Sequence, residues 1–385
     1  MDPTTLVDAS TAVGLPAPVW FIELFTWLGF CLHLVPMNLW LAGILLSMLL
    51  ALLKSEHGRR FSARLMAQMP VIMAVGINFG IVPLLFIQVG FSQIFYPATI
   101  LMAWFWFLVI VFLLPAYYGV YVYASGLAGQ GAAMPRWKRC CGWLSAALLV
   151  VIGFTFANAM SLMENVKAWP DLWQRHSFHG AALGTALNCT DLRLWPRWLL
   201  MFGLALSTTA AWLVLDAAWF ARRESPAYCA WAKDFAWKLY AVGAVWFAVA
   251  GAVYSLGTWT PETRHAMFLS PWVLLTLLTA AAPAGVWAML WLDCKREGAT
   301  TPRVLPARGW AALVGLAQFG VLGLNAASRQ VVQHLEIGPY FNILSHSQRT
   351  ETQWAPLLVF LLVFVLALAA VAWMIYQIAK LPAEA

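Results

Sequence analysis

One histidine of this chain, His33, lies within the strongly apolar stretch FCLHLVPMNLWLAGILL, residues 30–46. It is the only one of the seven histidines that the sequence places deep inside a hydrophobic segment. Burying an ionisable side chain without a partner is costly, so such a residue is by default a candidate functional group. Neutral imidazole keeps one nitrogen lone pair, which makes it a common axial ligand to haem iron. His33 is therefore either an iron ligand or an uncharged histidine that is hydrogen-bonded to a neighbouring helix.

The residues around His33 favour a flat apolar neighbour. Phe30, Met37 and Trp40 lie three, four and seven residues away and share its helical face, on which Thr26 is the one polar member. A flat apolar cofactor would suit this surface.

A second motif, GINFG (residues 76–80), lies in the next apolar segment. Gly76 and Gly80 form a G-x-x-x-G pair, which lets another helix or the edge of a cofactor approach closely. Asn78 lies between them and needs a hydrogen-bond partner within the span. Helix packing alone also explains this motif.

Two further segments carry polar residues at the ends of apolar spans: FANAMSLMEN (156–165), with Asn158 and Glu164, and NAASRQ (325–330), with Arg329 and Gln330. Together with Gln88 and Gln93 they predict a polar rim over an apolar bundle, unless they are ordinary interfacial residues and helix caps. Arg329 could satisfy its charge with a haem propionate or with Glu164.

Other candidate groups carry less information. His176 and His179 have H-x-x-H spacing without a third ligand, which favours solvated loop histidines over a metal site. Asp216 is close to Arg222 and Arg223, which predicts an ion pair at the membrane surface. The six cysteines form neither a C-x-x-C-H haem attachment motif nor a zinc-like spacing. No nucleophile elbow, phosphate loop or paired intramembrane carboxylates are found, so hydrolytic and phosphoryl-transfer chemistry is not expected.

The composition is that of a membrane protein. Hydrophobic residues make up 62% of the chain and charged residues 10%, where a soluble domain carries about 25% charged residues. Apolar runs of about 18 or more residues recur along the whole chain, each long enough to cross a bilayer. The net charge of +7 comes from basic residues in short loops, which argues against nucleic-acid binding. The fold class is therefore all-α and polytopic.

Nine spans are predicted in a single transmembrane domain, residues 1–385, without an internal repeat. They cover about 18–52, 67–92, 97–123, 143–163, 197–220, 235–256, 267–292, 310–326 and 355–378. Sixteen of the 23 lysines and arginines lie on one side of these spans and seven on the other. This bias predicts an outside N-terminus and an inside C-terminus, with long outer loops at 164–196 and 327–354.

The first 15 residues carry Asp2 and Asp8 but no lysine or arginine. They lack the positive region of a cleavable signal peptide. The first helix is therefore expected to act as the insertion signal.

Four stretches occur in order over the first four spans: LHLVPMNLWLAGILL, GINFGIVPLLF, YPATILMAWFW and FANAMSLMEN. In this order they resemble subunit I of the cytochrome bd quinol oxidases and its shorter relatives beside multihaem cytochromes. The resemblance covers nearly the whole chain, although no single motif is long, and it implies nine spans with an outside N-terminus. It also implies that His33 matches the ligand of the high-spin b haem, and that Arg329 and Gln330 match an arginine-glutamine pair near the haem propionates.

Other functional positions of that family are missing. The second ligand histidine falls near Trp198–Leu200, the opposite methionine near Val273 or Leu274 with Met267 the nearest substitute, and two glutamates fall at Gly90 and Ala326. The quinol-binding loop shrinks to GTWTPETRHAM, residues 257–267. Oxygen reduction is therefore not expected, and at most a quinol-linked oxidoreductase subunit remains.

The resemblance leads to an expected function. The chain would be a subunit of a respiratory electron-transfer complex in the bacterial inner membrane, surrounded by lipid and other membrane subunits. It would hold one haem b on His33, near Arg329, Gln330, Asn158 and Asn78, and link the quinone pool to an outer-face partner such as a periplasmic multihaem cytochrome. The alternative is a haem-free structural subunit that keeps the scaffold. A solute transporter is disfavoured because the polar residues gather towards the outer side instead of mid-membrane.

Overall fold

A computed structural model of the chain describes residues 7, 14–127, 134–221, 224–269, 271–297, 308–347 and 350–380. Almost all of these residues are helical. The helices are α1 (Val19–Asn38), α2 (Ile44–Leu52), α3 (Glu56–Gly90), α4 (Ser92–Leu101), α5 (Ala103–Leu127), α6 (Arg136–Glu164), α7 (Trp169–Arg175), α8 (Leu194–Leu215), α9 (Pro226–Thr258), α10 (Pro261–Phe268), α11 (Val273–Glu297), α12 (Arg308–Ile337), α13 (Ile343–His346) and α14 (Trp354–Lys380). The one sheet in this part of the chain is a hairpin of β1 (Ser177–Phe178) and β2 (Ala181–Ala182).

Nine helical stretches among the described residues are long and apolar enough to cross a membrane. They are Val19–Leu52, Glu56–Gly90, Ala103–Leu127, Arg136–Glu164, Leu194–Phe220, Pro226–Thr258, Val273–Lys295, Arg308–Ile337 and Trp354–Gln377. The predicted all-α polytopic fold with nine spans is confirmed. The N-terminal segment with Asp2 and Asp8, and several basic residues used to predict the orientation, including Arg303 and Arg349, lie outside the described residues.

The helix bounds differ from the predicted spans at several ends, and two of these differences have a local reason. The third span begins at Ala103 instead of residue 97, because the short helix α4 ends at Leu101 and Met102 has a non-helical backbone conformation. The eighth span continues to Ile337 instead of ending at 326, because Val332 and Ile337 are buried and give this stretch an apolar face. The predicted outer loop 327–354 therefore begins as a helix.

The spans alternate in direction, so the bundle has two ends. We call the end at which α1 begins the near end and the opposite end the far end. The predicted loop 164–196 lies at the near end and has structure of its own: a short 3-10 turn (Val166–Ala168), α7, the hairpin and the first turn of α8. In the hairpin, His179 and Gly180 both have positive φ angles (49° and 81°), as a two-residue type I′ turn requires.

The first span lies at the centre of the bundle, where α1 packs against α3, α8 and α12. It contains Pro36, which cannot donate a backbone hydrogen bond to the preceding turn. A five-residue π-helical segment, Leu39–Gly43, follows directly and leads into α2. His33 thus lies one turn before an irregularity that the sequence alone did not predict.

Helices α8 and α9 form the most extensive helix pair of the bundle. Their backbones approach closely at two glycines, which need no space for a side chain. A Cβ atom on Gly243 would lie 2.5 Å from Ser207 Oγ and 2.7 Å from Gly203 O, and one on Gly203 would lie 2.5 Å from the Phe247 nitrogen. This contact fixes the start of α8, which carries Arg197, against α9.

We expect Gly243→Ala to lower the free energy of unfolding by about 1–3 kcal/mol, because the added methyl group overpacks this contact. The midpoint of thermal unfolding in detergent, followed by circular dichroism, measures the effect. Gly257→Ala is the matched control on the same helix, since a Cβ atom there would meet nothing within 4 Å. Equal midpoints for the two variants would contradict the close-packed interface.

Candidate functional site

His33 is held by the glycine face of α3. Its Nδ1 lies 2.8 Å from the carbonyl oxygen of Gly76. A Cβ atom on Gly80 would lie 2.8 Å from the imidazole Cε1, so only glycine leaves room for the ring. Trp40 packs edge-on against His33, with 5.5 Å between the ring centroids, and also lies over Gly76. The predicted close approach at the G-x-x-x-G motif is confirmed, and the approaching groups are these two side chains of the first span.

The hydrogen bond to Gly76 determines the tautomer of His33. A carbonyl oxygen can only accept, so Nδ1 carries the hydrogen of a neutral imidazole and Nε2 keeps the lone pair. Nε2 has no hydrogen-bond partner among the described residues. A ring fixed through one nitrogen by a backbone carbonyl, with the other nitrogen free, is the usual arrangement of a metal-ligating histidine.

Arg329 lies on the same side of the first span. Its guanidinium carbon is 4.5 Å from the centroid of the Phe30 ring, one turn before His33, and its charge is close enough to act on His33. The described residues give Arg329 no carboxylate within salt-bridge distance. The alternative pairing with Glu164 is not formed, because Glu164 makes a short ion pair with Arg197 instead.

His33, Arg197, Tyr254 and Arg329 all lie deep among protein atoms. Each nevertheless keeps part of its surface accessible. All four residues lie in the near half of the bundle, on the first span, α8, α9 and α12. Arg197 is paired with Glu164, whereas Arg329 has no carboxylate within salt-bridge distance among the described residues, so an anionic group beside Arg329 would neutralise its charge.

The near end carries a network of polar side chains centred on Asn188. Its backbone N–H donates to Asn158 Oδ1 (3.0 Å), and its side chain donates to Ser161 Oγ (2.9 Å) and to Asp191 (3.1 Å). Arg193 then joins Asp191 to Glu336 of α12, at 2.9 and 2.7 Å. Of the residues predicted to form a polar rim, Asn158 belongs to this network, whereas Glu164, Arg329 and Gln330 make other contacts. We call the network the polar belt: Asn158, Ser161, Asn188, Asp191, Arg193 and Glu336.

Asn158 belongs to this belt and holds the near-end loop to α6. Besides accepting from Asn188, it donates from Nδ2 to Cys189 Sγ at 3.8 Å. Burial raises the pKa of the Cys189 thiol, so this cysteine stays protonated at neutral pH. The partners of Asn158 thus assign it a structural role in the loop.

The other two predicted site residues, Gln330 and Asn78, make separate contacts on different helices. Gln330 donates to the carboxylate of Glu23 in a short contact and to the Glu23 carbonyl at 3.2 Å, and His334 lies 3.2 Å from the same carboxylate. Asn78 is exposed on the outward face of α3 and donates to Ala74 O of its own helix. The structure therefore brings Arg329 to His33 but leaves Asn78 apart from it.

At the far end, Asp216 is paired with Arg64 of α3. Its carboxylate accepts two hydrogen bonds of 2.8 Å from Arg64 and one of 2.9 Å from Gln68. Arg222 and Arg223 lie outside the described residues. Asp216 is almost fully buried, so a bidentate guanidinium from a neighbouring helix satisfies it as a surface pair would not.

Loop histidines offer no metal site in this part of the chain. Nδ1 of His176 lies 3.0 Å from Thr185 Oγ1, and His179 lies at the hairpin turn. No three His, Cys, Asp or Glu side chains among the described residues are grouped as metal ligands.

A second group of polar side chains, beside the polar belt, was not predicted from the sequence. Asn38, Thr208, Tyr240 and Gln318 come from four different spans and are hydrogen-bonded to one another near the middle of the bundle. The available signal was a lone amide within an apolar run, as at Asn38 and Gln318, but nothing in the sequence pairs one such residue with another.

Removing the carboxylate of Glu164 should destabilise the protein, because the buried guanidinium of Arg197 then loses its ionic partner. We expect Glu164→Ala to cost about 3–5 kcal/mol of stability, the usual cost of breaking a buried ion pair from one side. Asp171→Ala is the control: it removes the exposed partner of Arg175 and should cost less than about 1 kcal/mol. Urea or thermal unfolding in detergent compares the two, and a similar loss for both would argue against a buried pair.

Comparison with known proteins does not assign this chain to a family. No protein-family model matches it, and no curated protein matches it either. Any functional conclusion therefore rests on His33, Arg329 and the side chains around them.

Proposed function

We propose that this protein is a membrane subunit of a respiratory electron-transfer complex and that it holds one b-type haem through His33. The observation that carries the proposal is the hydrogen bond from His33 Nδ1 to Gly76 O, which leaves Nε2 as a free lone pair inside the bundle. The donor chemistry fits a haem, since neutral imidazole is its most frequent protein ligand. Bound haem would supply one-electron oxidation and reduction.

The residues of this chain would position such a group in three ways. His33 would ligate the iron from one side, with its ring orientation fixed by Gly76 and by the space at Gly80. Phe30 and Trp40 would supply apolar surface beside the ring plane. Arg329, which has no carboxylate partner among the described residues, would pair with a propionate and thereby neutralise its own buried charge.

The proposal includes the resemblance to subunit I of the cytochrome bd quinol oxidases. Only one of that family's ligand positions is retained, so we propose a single haem and no oxygen reduction. The chain would lie in the bacterial inner membrane with its N-terminus outside, which would place the polar belt at the outer face. A redox partner, such as a multihaem cytochrome, would dock at this end, while other membrane subunits and the quinone pool would meet the flanks of the bundle.

A second candidate function is a haem-free structural subunit. The observation that favours it is also at His33: the bond to Gly76 and the packing against Gly80 already satisfy an uncharged histidine in a helix interface. On this alternative, Arg329 would be neutralised by an anionic lipid or a partner chain.

The two candidates differ in the absorption spectrum of the purified protein. We expect a dithionite-reduced minus oxidised spectrum to show the band of a b-type haem, and His33→Ala to abolish or shift it because the iron loses its ligand. His179→Ala, at the exposed hairpin turn, is the control and should leave the band unchanged. Folded protein without any haem band would favour the structural subunit.

A second expectation concerns Arg329. Arg329→Gln removes a positive charge near the proposed haem, which destabilises the reduced form relative to the oxidised one. We expect the midpoint potential to fall and the haem to dissociate more readily on dilution in detergent, as measured by a spectroscopic redox titration. Arg175→Gln, in an exposed ion pair, should leave the potential unchanged. An unaltered potential in Arg329→Gln would place the haem elsewhere.

A further inference from the structure

A four-helix polar node lies near the middle of the bundle. Thr208 of α8 accepts from Asn38 Nδ2 of the first span at 2.9 Å and from Gln318 Nε2 of α12 at 3.0 Å. The Tyr240 hydroxyl of α9 donates to Gln318 Oε1 at 2.6 Å. Thr208 itself donates to Leu204 O at 2.8 Å.

These bonds fix the orientation of the Gln318 amide. The hydroxyl hydrogen of Thr208 is used by Leu204, so Thr208 must accept from both amides, and Gln318 must turn its nitrogen towards Thr208 and its oxygen towards Tyr240. An amide nitrogen carries two hydrogens, and the second one of Gln318 has no acceptor among the described residues. A buried donor held in place without an acceptor is a ready partner for a ligand oxygen.

A pocket of about 160 Å³ adjoins this node. Thr208 and Gln318 provide its polar wall, and its other walls are mostly apolar, formed by Val35, Leu39, Trp212, Leu215, Phe319 and Leu322. An apolar cavity of about 150 Å³ admits a benzene ring, so this volume suits one ring and not a haem. Val35, Trp212, Leu215 and Phe319 are partly exposed, so the pocket reaches the flank of the bundle and a ligand can enter it from the bilayer.

We propose that this pocket binds the ring of a lipid-soluble quinone, with a ring carbonyl oxygen accepting the free N–H of Gln318. The ring would fill the apolar volume, and the isoprenoid tail would leave through the flank into lipid. Val35 and Leu39 follow His33 within two turns of the same span but face the other way, so the first span separates the pocket from His33, which faces α3. The identity of the ligand as an electron carrier rests on the proposed function, whereas the binding of a carbonyl-bearing ring does not.

Photolabelling tests the proposal on the full chain in lipid nanodiscs. An azido-benzoquinone with a decyl tail is the probe, and labelled peptides are identified by mass spectrometry. We expect labelling in the first span, α8 and α12, and protection by excess decylbenzoquinone. Decylbenzene, which has the ring and the tail but no carbonyl, should protect at least tenfold less well, equivalent to about 1.4 kcal/mol.

Two variants change the polar wall and the volume separately. Gln318→Leu removes the donor and should weaken protection by decylbenzoquinone about tenfold, while Gly315→Leu fills the pocket and should abolish labelling there. Thr209→Val is the matched control, because Thr209 donates to Ala205 within its own helix and does not line the pocket. The midpoint of thermal unfolding of each variant establishes that it is folded.

Labelling at other helices, or unchanged protection in folded Gln318→Leu, would overturn the proposal. Equal protection by decylbenzene would overturn it too, because binding would then not depend on a ring carbonyl. The haem spectrum of the same preparation is an independent readout. Absence of a haem with quinone labelling intact would reject the haem proposal alone, and a haem band without labelling at this pocket would reject the quinone site alone.

Discussion

The hydrogen bond between His33 and the Gly76 carbonyl is the interaction on which the proposed chemistry depends. A helical carbonyl already accepts from the N–H four residues later, but its second lone pair stays available. His33 can use it only because Gly80 has no side chain in the way of the imidazole, while Gly76 leaves room for Trp40. One pair of glycines therefore fixes the distance between the first span and α3, the tautomer of the imidazole and the direction of its free lone pair.

Charge in this bundle is arranged by depth. Carboxylates are matched by guanidinium groups at both ends, through Arg197 and Glu164 at the near end and Arg64 and Asp216 at the far end. The middle contains uncharged amides and hydroxyls that bond to one another across helices. Ionised groups in the hydrocarbon region are costly, whereas satisfied neutral groups are tolerated. Arg329 departs from this arrangement, because no carboxylate among the described residues lies within salt-bridge distance of it.

Hydropathy was sufficient to predict the nine spans, because a run of apolar residues long enough to cross a bilayer has few other structures available to it. The break at Met102 and the continuation of α12 to Ile337 depend on local packing at the near end, which the composition of a span does not encode. His33 and Arg329 were found because each is an ionisable residue in an apolar run. The partner of Glu164 was not, since Arg197 and Arg329 are equally plausible in the sequence and only the packing of α6 on α8 selects between them. The polar node was missed because each of its members is isolated in its own span.

The π-helical segment Leu39–Gly43 has a consequence for how the first span can change. Hydrogen bonds of the i→i+5 type accommodate one extra residue in a turn, so they shift the angular phase of everything that follows. Residues of α2 such as Ser47 and Met48 therefore face their neighbours at an angle that the register of α1 does not dictate. A single-residue deletion in this segment would restore a regular α-helix and leave both His33 and the far half facing their present neighbours. The first span can therefore lose one residue at this segment, and there alone, without a change in the contacts of either half.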